Sequence, residues 1–256
     1  MNEFKDKVVV VTGGAQGAGK KIATCFYEEG ANVNILDIKE ETISSLVKEI
    51  KPDKKRFTTY IADVSNSFQV DNAIKNIGNL YGNIDILINN AGVLQKSTIE
   101  ESTDEHLNLM IGVNLLGPVY CTRAAIPYMK EKGGNIVNVS SILATFPNTG
   151  SGAYGAAKAG IIVLTRVWAA ELAPYHIRVN AYAPGVINTP MAADIIEHRA
   201  ESKLQQIALR RFAEPKDIFN VVKFYCSEQA SYITGQTLGV DGGMWVTQTP
   251  TAAWHK

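Results

Sequence analysis

Charge of one sign is what this sequence most clearly lacks: 25 lysines and arginines balance 25 aspartates and glutamates in 256 residues. Without a net positive field, bulk electrostatics cannot hold the chain on nucleic acid or an anionic membrane. Apolar runs such as residues 8–11 and 161–164 fall far short of the roughly 20 residues a membrane-spanning helix needs. Cysteine is scarce, and Cys25, Cys121 and Cys226 stand far apart outside any CxxC pair. That spacing argues against a disulfide frame or a zinc site and fits reduced, inert, partly buried thiols in a cytoplasmic setting. The four histidines show no ligand spacing, so no metal is expected. Residues 1–7 run straight into a strand-like stretch, which leaves no signal peptide visible. Repeats, low-complexity tracts and Pro/Ser linkers are also missing, and one domain over residues 1–256 is expected.

What is present is an alternation. Short β-branched runs at residues 7–12, 32–37, 57–62, 84–89, 135–140, 178–183 and 237–240 read as strands. Between them lie helical patterns at about 17–29, 40–50, 66–80, 104–130, 153–173 and 215–227. Apolar strands separated by helices imply an α/β fold: a doubly wound parallel sheet of about seven strands with helices on both faces. Ligands of such sheets bind at the carboxyl ends of the strands, so the functional residues should follow the strands.

The first strand ends in Thr12, Gly13, Gly14, Ala15, Gln16, Gly17, Ala18 and Gly19, and a helix follows at once. Glycines let the backbone turn sharply and approach a pyrophosphate, whose charge the helix start favours. The spacing is GxxxGxG rather than GxGxxG, and no Gly-Lys-Ser/Thr ending marks a P-loop. The second strand ends at Asp37, followed by Ile38. An acid there accepts hydrogen bonds from the adenosine ribose and repels a 2′-phosphate, and Ala15 supplies no neutralising cation; NAD is therefore favoured over NADP, with Lys39 the one counterargument. Asp63 and Val64 follow the third strand, where the carboxylate suits the adenine amino group. Asn89, Asn90, Ala91 and Gly92 form a small polar turn after the fourth.

A tyrosine and a lysine four apart share one helical face, and an ammonium beside a phenol lowers the phenol's pKa toward working pH. The pattern occurs twice. Tyr128 and Lys132 precede Gly133 and Gly134, which read as the C-cap of a solvated helix end. Tyr154 and Lys158 lie among small residues at the start of the helix after the fifth strand, facing Ser140 and Ser141 at that strand's end. That second pair is the candidate site.

Thr12 to Gly19, the NNAG turn at residues 89–92, Asn114, the serine and the YxxxK of Tyr154 and Lys158 stand in an order that resembles the short-chain dehydrogenase/reductase family over essentially the whole chain. Ala18 departs from the larger aliphatic residue usual there. The resemblance implies a Rossmann fold and selects Ser141 over Ser140. It also implies hydride transfer between a nicotinamide and a secondary alcohol or ketone. Tyr154 would be the general acid/base, and Ser141 would hold the substrate oxygen. Lys158 would tune Tyr154 and hold the nicotinamide ribose, with Asn114 anchoring a water that links Lys158 to solvent. Gly13, Gln16, Gly17, Ala18, Gly19, Asp37, Ile38, Asp63, Val64, Asn90, Ala91, Gly92, Tyr154, Lys158, Pro184, Gly185, Ile187 and Thr189 would bind the cofactor, expected to be NAD.

Residues 189–211 read as a substrate lid, with Met191, Ile195, Ile196 and Leu204 available to cover an apolar substrate beside Leu94, Leu143 and Phe146. The substrate expected is a ketone or alcohol of steroid, diol or cyclic type. Family members usually form tetramers, which makes the helices at 104–130 and 153–173, with Trp168, the expected dimer faces. The closing segment through Trp245 and the tail to Lys256, with Trp254, are placed to contribute to substrate closure. A β-ketoacyl carrier-protein reductase is the alternative suggested by residues 231–236. Such enzymes usually prefer NADPH and carry basic residues near the ends of the two long helices, where this chain has Glu131 and Ala170. A non-catalytic cofactor sensor is a third reading, opposed by the complete set Asn114, Ser141, Tyr154 and Lys158.

Overall fold

A computed structural model describes residues 3–244 and 246–255; Trp245 and Lys256, invoked above for closure, lie outside the described residues. Seven strands, β1 (Val8–Thr12), β2 (Asn32–Asp37), β3 (Phe57–Ile61), β4 (Ile86–Asn89), β5 (Gly134–Val139), β6 (Ile177–Pro184) and β7 (Thr237–Val240), form one sheet in the order β3-β2-β1-β4-β5-β6-β7. Every pairing is parallel. The order reverses between β1 and β4, which opens a crevice at their carboxyl ends.

Each strand feeds alternate side chains to the two faces. Val9, Val11, Val33 and Ile35 pack under α1 (Gly17–Glu28), α2 (Glu40–Ile50) and α9 (Pro215–Cys226), meeting Ile22, Phe26, Leu46 and Phe219. Val8, Val10 and Leu36 face the other way, under α3 (Ser67–Tyr81), α5 (Gly117–Met129) and α6 (Gly152–Leu172). Fully burying one such valine or isoleucine is worth about 1.5–3 kcal/mol, so these two layers hold the sheet. The three cysteines are free and buried, and burial pushes the Cys121 and Cys226 thiols up to about 12, so they are inert.

The strand and helix expectations match within two residues at every end except inside residues 104–130. There, α4 (Asp104–Ile111) and α5 are joined by a wide turn, Gly112–Leu116, in which the Gly117 N–H reaches the carbonyl of Gly112, five residues back. Pro118 has no N–H for the Asn114 carbonyl, and its ring crowds that oxygen, so the helix widens there. The whole helix, Asp104–Met129, is long and apolar enough by composition to cross a membrane. In this fold its Met110, Val113, Cys121, Ala125 and Met129 are buried, and α5 packs on α3. Trp168 likewise packs against its own chain's core.

A buried polar chain ties the layers together. Asn89 Nδ2 donates to Thr122 Oγ1 on α5 (3.1 Å) and to Asn138 Oδ1 on β5 (2.8 Å), and Asn138 Nδ2 donates to Thr165 Oγ1 on α6 (3.0 Å). Asn89→Leu removes one donor group and strands two buried acceptors. The expected cost is about 1–3 kcal/mol in urea-unfolding stability; an unchanged unfolding midpoint would show the chain to be energetically idle.

Candidate active site

The glycine turn is built by close approach. Gly13 has φ +61°, and a Cβ on it would lie 2.9 Å from Ala91 Cα; one on Gly19 would lie 2.0 Å from the Gly13 carbonyl oxygen. Thr12 and Asn90 clamp this turn to the end of β4. Thr12 Oγ1 accepts from the N–H groups of Asn90 and Ala91 (3.0 Å each), and Asn90 Nδ2 donates to the carbonyls of Thr12 (3.0 Å) and Gly13 (3.1 Å). At the start of α1, Gln16 makes no side-chain cap and the first turn holds no acid, so the dipole's positive end is left for an anion.

A cavity of about 450 Å³ opens along the carboxyl ends of the strands, and every residue assigned above to the cofactor lines it, as does Ser141. The residues fit a dinucleotide. A Cβ on Gly17 would meet nothing closer than Thr189 Cγ2 at 3.4 Å, and the buried Tyr182 hydroxyl on the cavity wall has no partner among the described residues. Asp37 is buried, its Oδ2 accepting from the Ala15 N–H (3.0 Å) and its Oδ1 from the Lys39 N–H (3.3 Å). Asp63 Oδ1 is engaged by the Ser65 N–H and hydroxyl (2.8 and 2.7 Å).

The two serines at the end of β5 separate by their bonds. Ser140 is fully buried and donates to the Lys158 carbonyl (2.8 Å), fixing α6 against the strand. Ser141 faces the cavity, accepts from the Leu143 N–H (3.1 Å) and hydrogen-bonds the Tyr154 hydroxyl. Lys158 Nζ donates to the Val139 carbonyl (2.9 Å) and lies 5.7 Å from the Tyr154 ring centroid. The electrostatics correct one expectation. Burial, the larger effect, raises the Tyr154 pKa, against a smaller lowering by Ser141, and burial alone brings Lys158 down to about 8. Desolvation outweighs the lowering by Ser141, so the phenol stays protonated at neutral pH.

Asn114 needs a second correction. It sits in the wide turn behind the cavity wall, fully buried, and does not line the cavity. Its Nδ2 donates to the carbonyls of Val93 (2.9 Å) and Met110 (3.0 Å), and its Oδ1 accepts from the Val93 N–H (3.2 Å). Both amide hydrogens are thus committed to the protein, and the side chain fixes the Val93 backbone.

Of the substrate-covering residues, Leu94, Leu143, Met191 and Ile195 line the cavity, whereas Ile196, Leu204 and Phe146 do not. Leu204 instead packs on Ile142, Ile207 and Met244, and Phe146 is half exposed. The lid region folds as a short 3-10 turn at Pro190–Ala192 followed by α7 (Ala193–His198) and α8 (Ala200–Leu204). The tail meets it through Trp254 Nε1, which donates to the Ala208 carbonyl (2.9 Å), and Thr251 Oγ1, which donates to Gln205 (3.1 Å). Sequence reasoning missed Val93, Asn148, Tyr182, Lys203 and Met244, which also line the cavity; no local motif marks them, because distant chain segments bring them there. The other Tyr–Lys pair lies away from this cavity. Lys132 is exposed as expected, but the Tyr128 ring packs against Gly78 on α3, so that end is only half solvated; Gly133 caps it with φ +75°.

Comparison with known proteins places this geometry. Residues 13–245 match a family model described as enoyl-(acyl carrier protein) reductase. The chain is 41% identical over 242 residues to a 3-oxoacyl-[acyl-carrier-protein] reductase of Thermotoga maritima, covering 94% of this chain and 98% of that protein. It is 37% identical to the protein of the same name from Chlamydia muridarum, covering 93% and 97%. A crystal structure titled short-chain dehydrogenase/reductase, glucose/ribitol dehydrogenase, from Brucella melitensis superposes with a TM-score of 0.91 at 32% identity, covering 96% of this chain and 99% of that one. With the glycine turn, the NNAG clamp and the Ser-Tyr-Lys cluster gathered on one cavity of a seven-stranded parallel sheet, the chain belongs to the short-chain dehydrogenase/reductase family, whose members work with a nicotinamide cofactor.

Proposed function

We propose that this chain reduces the ketone of a 3-oxoacyl thioester, using NADH. The observation that carries the reading is that Ser141, Tyr154 and Lys158 line one cavity, with Lys158 Nζ 5.7 Å from the Tyr154 ring centroid. The bound cofactor would supply the hydride to the carbonyl carbon. The chain's residues handle the oxygen. Ser141 holds it, Tyr154 donates the proton, and Lys158 adds the positive charge that favours the phenolate left behind. Burial that keeps Tyr154 protonated puts the resting site in the proton-donating form, which is the form reduction needs. Asn114 acts one step back, as a positioning residue for the Val93 wall of the pocket.

The names of the curated relatives favour a 3-oxoacyl group over the steroid, diol or cyclic alcohol expected from composition. Cofactor choice follows this chain's own residues. Asp37 is anchored by two backbone N–H groups, so its carboxylate stays where a 2′-phosphate would have to sit, and this departs from the NADPH usual for carrier-protein reductases. A free apolar ketone remains the second reading. The pocket walls Leu94, Leu143, Met191 and Ile195 favour it, as do Glu131, exposed in the turn just past α5, and Ala170, exposed on α6, near where an acidic carrier protein would meet cations. Val163 and Val167, exposed on α6, are the surface assigned to the expected tetramer contact.

Comparing an acetoacetyl thioester with cyclic ketones, each with NADH and NADPH, tests the reading. The thioester with NADH is expected to give the highest kcat/KM, and a preference for cyclic ketones would favour the second reading. Asp37→Ala is expected to weaken NADH by about tenfold or more while leaving NADPH binding equal or better, measured by nucleotide fluorescence titration. Equal losses for both nucleotides would contradict the assignment. The pH profile gives a further check. Reduction should hold steady through neutral pH and decline above about 8, where Lys158 loses its proton and Tyr154 becomes a poorer acid. A reductive rate that climbs through that range would remove Lys158 from the mechanism.

A further inference from the structure

We propose that the substrate carries an oxyanion in addition to the ketone, and that Lys203 on the lid receives it. This rests on reading the cavity as a carbonyl-reduction site and specifies what enters it. The substrate end is walled by Leu143, Met191, Ile195 and Met244, yet Lys203 of α8 lines the same cavity, partly buried. Its Nζ donates to Oε1 of Gln206 at 2.9 Å, a neutral partner, and among the described residues no carboxylate forms an ion pair with it. The nearby acid is already taken: Asp194 pairs with Arg199 Nη2 through Oδ2 and lies 3.5 Å from His198 Nδ1 through Oδ1. Glu197 and Glu201, exposed on the same two helices, form no ion pair with Lys203 either.

The surroundings work against this ammonium. Burial, then the charges of Arg199 and Lys96, which lie outside the cavity lining and flank Asp194, hold Lys203 below the usual lysine range. A part-buried cation with a neutral partner in an apolar wall gains most from a ligand that brings the missing negative charge. Lysine suits this role because its compact charge and rotatable donors can follow a flexible anionic arm. The chemistry shared by candidate ligands is an oxyanion: the phosphate of a phosphorylated thioester arm, or the carboxylate of a 3-oxo acid.

The test is steady-state reduction, with NADH, of three probes: acetoacetyl coenzyme A, acetoacetate, and the uncharged acetoacetyl N-acetylcysteamine thioester. Lys203→Gln is expected to raise KM for at least one anionic probe about tenfold, with kcat retained. KM for the uncharged thioester and for NADH should stay put, and Lys203→Arg should recover most of the loss. Whichever anionic probe responds identifies the source of the charge. Equal changes for charged and uncharged probes, or none, would overturn the inference and leave the reductase reading intact. Should wild-type protein turn over no probe with either cofactor, the reductase reading falls. Calorimetric titration of the NADH complex with acetoacetate and with coenzyme A then decides the inference separately: binding weakened by Lys203→Gln upholds it, and absent or unaltered binding overturns it.

Discussion

The site depends on one clamp, the paired hydrogen bonds of Thr12 and Asn90 across the point where strand order reverses. Thr12 accepts two backbone N–H groups from the turn after β4, and Asn90 returns two bonds to carbonyls of the glycine turn. Because both partners sit at strand ends held by a packed sheet, the turn cannot relax without breaking several bonds together. The same clamp sets where α1 begins and where Ala15 presents its N–H to Asp37. The proposed phosphate recognition and nucleotide choice would thus follow from how β1 meets β4.

Electrostatics in the cavity turn on desolvation. Tyr154 and Lys158 are both buried, and each is pushed toward its neutral form. A phenol kept protonated can donate to a carbonyl oxygen, and an amine that still carries its proton at neutral pH would favour the phenolate this leaves. In the proposed reaction, charge developing on that oxygen in the transition state would be met by Ser141 and Tyr154.

Much of this was legible in the residues, because the fold repeats one simple unit. β-branched runs and helical periodicity located all seven strands, and the motifs fell after strands as a doubly wound sheet requires. What escaped was what distant segments decide. Asn114 could be placed in a helix, but only Pro118 and the widened turn show why its amide faces Val93. Nothing in the sequence alone told that Tyr154 would be buried deeply enough for desolvation to raise its pKa. The lid was found as a segment, but a one-residue rotation along short helices separates Ile195, which lines the pocket, from Ile196, which does not. Lys203 and Met244 reach the cavity only through tertiary folding.

This chain keeps its relatives' scaffold, and the proposed reading puts its own choices at Asp37 and in the lid, with proton transfer by Tyr154 at its centre. The most direct measurement of the reaction uses NADH carrying deuterium at both nicotinamide C4 positions and an acetoacetyl thioester, with mass spectrometry of the product. The account predicts one deuterium at C3 of the 3-hydroxyacyl product from the wild-type protein, and almost no product from Tyr154→Phe although NADH still binds. Product without deuterium, or Tyr154→Phe working at the wild-type rate, would contradict it.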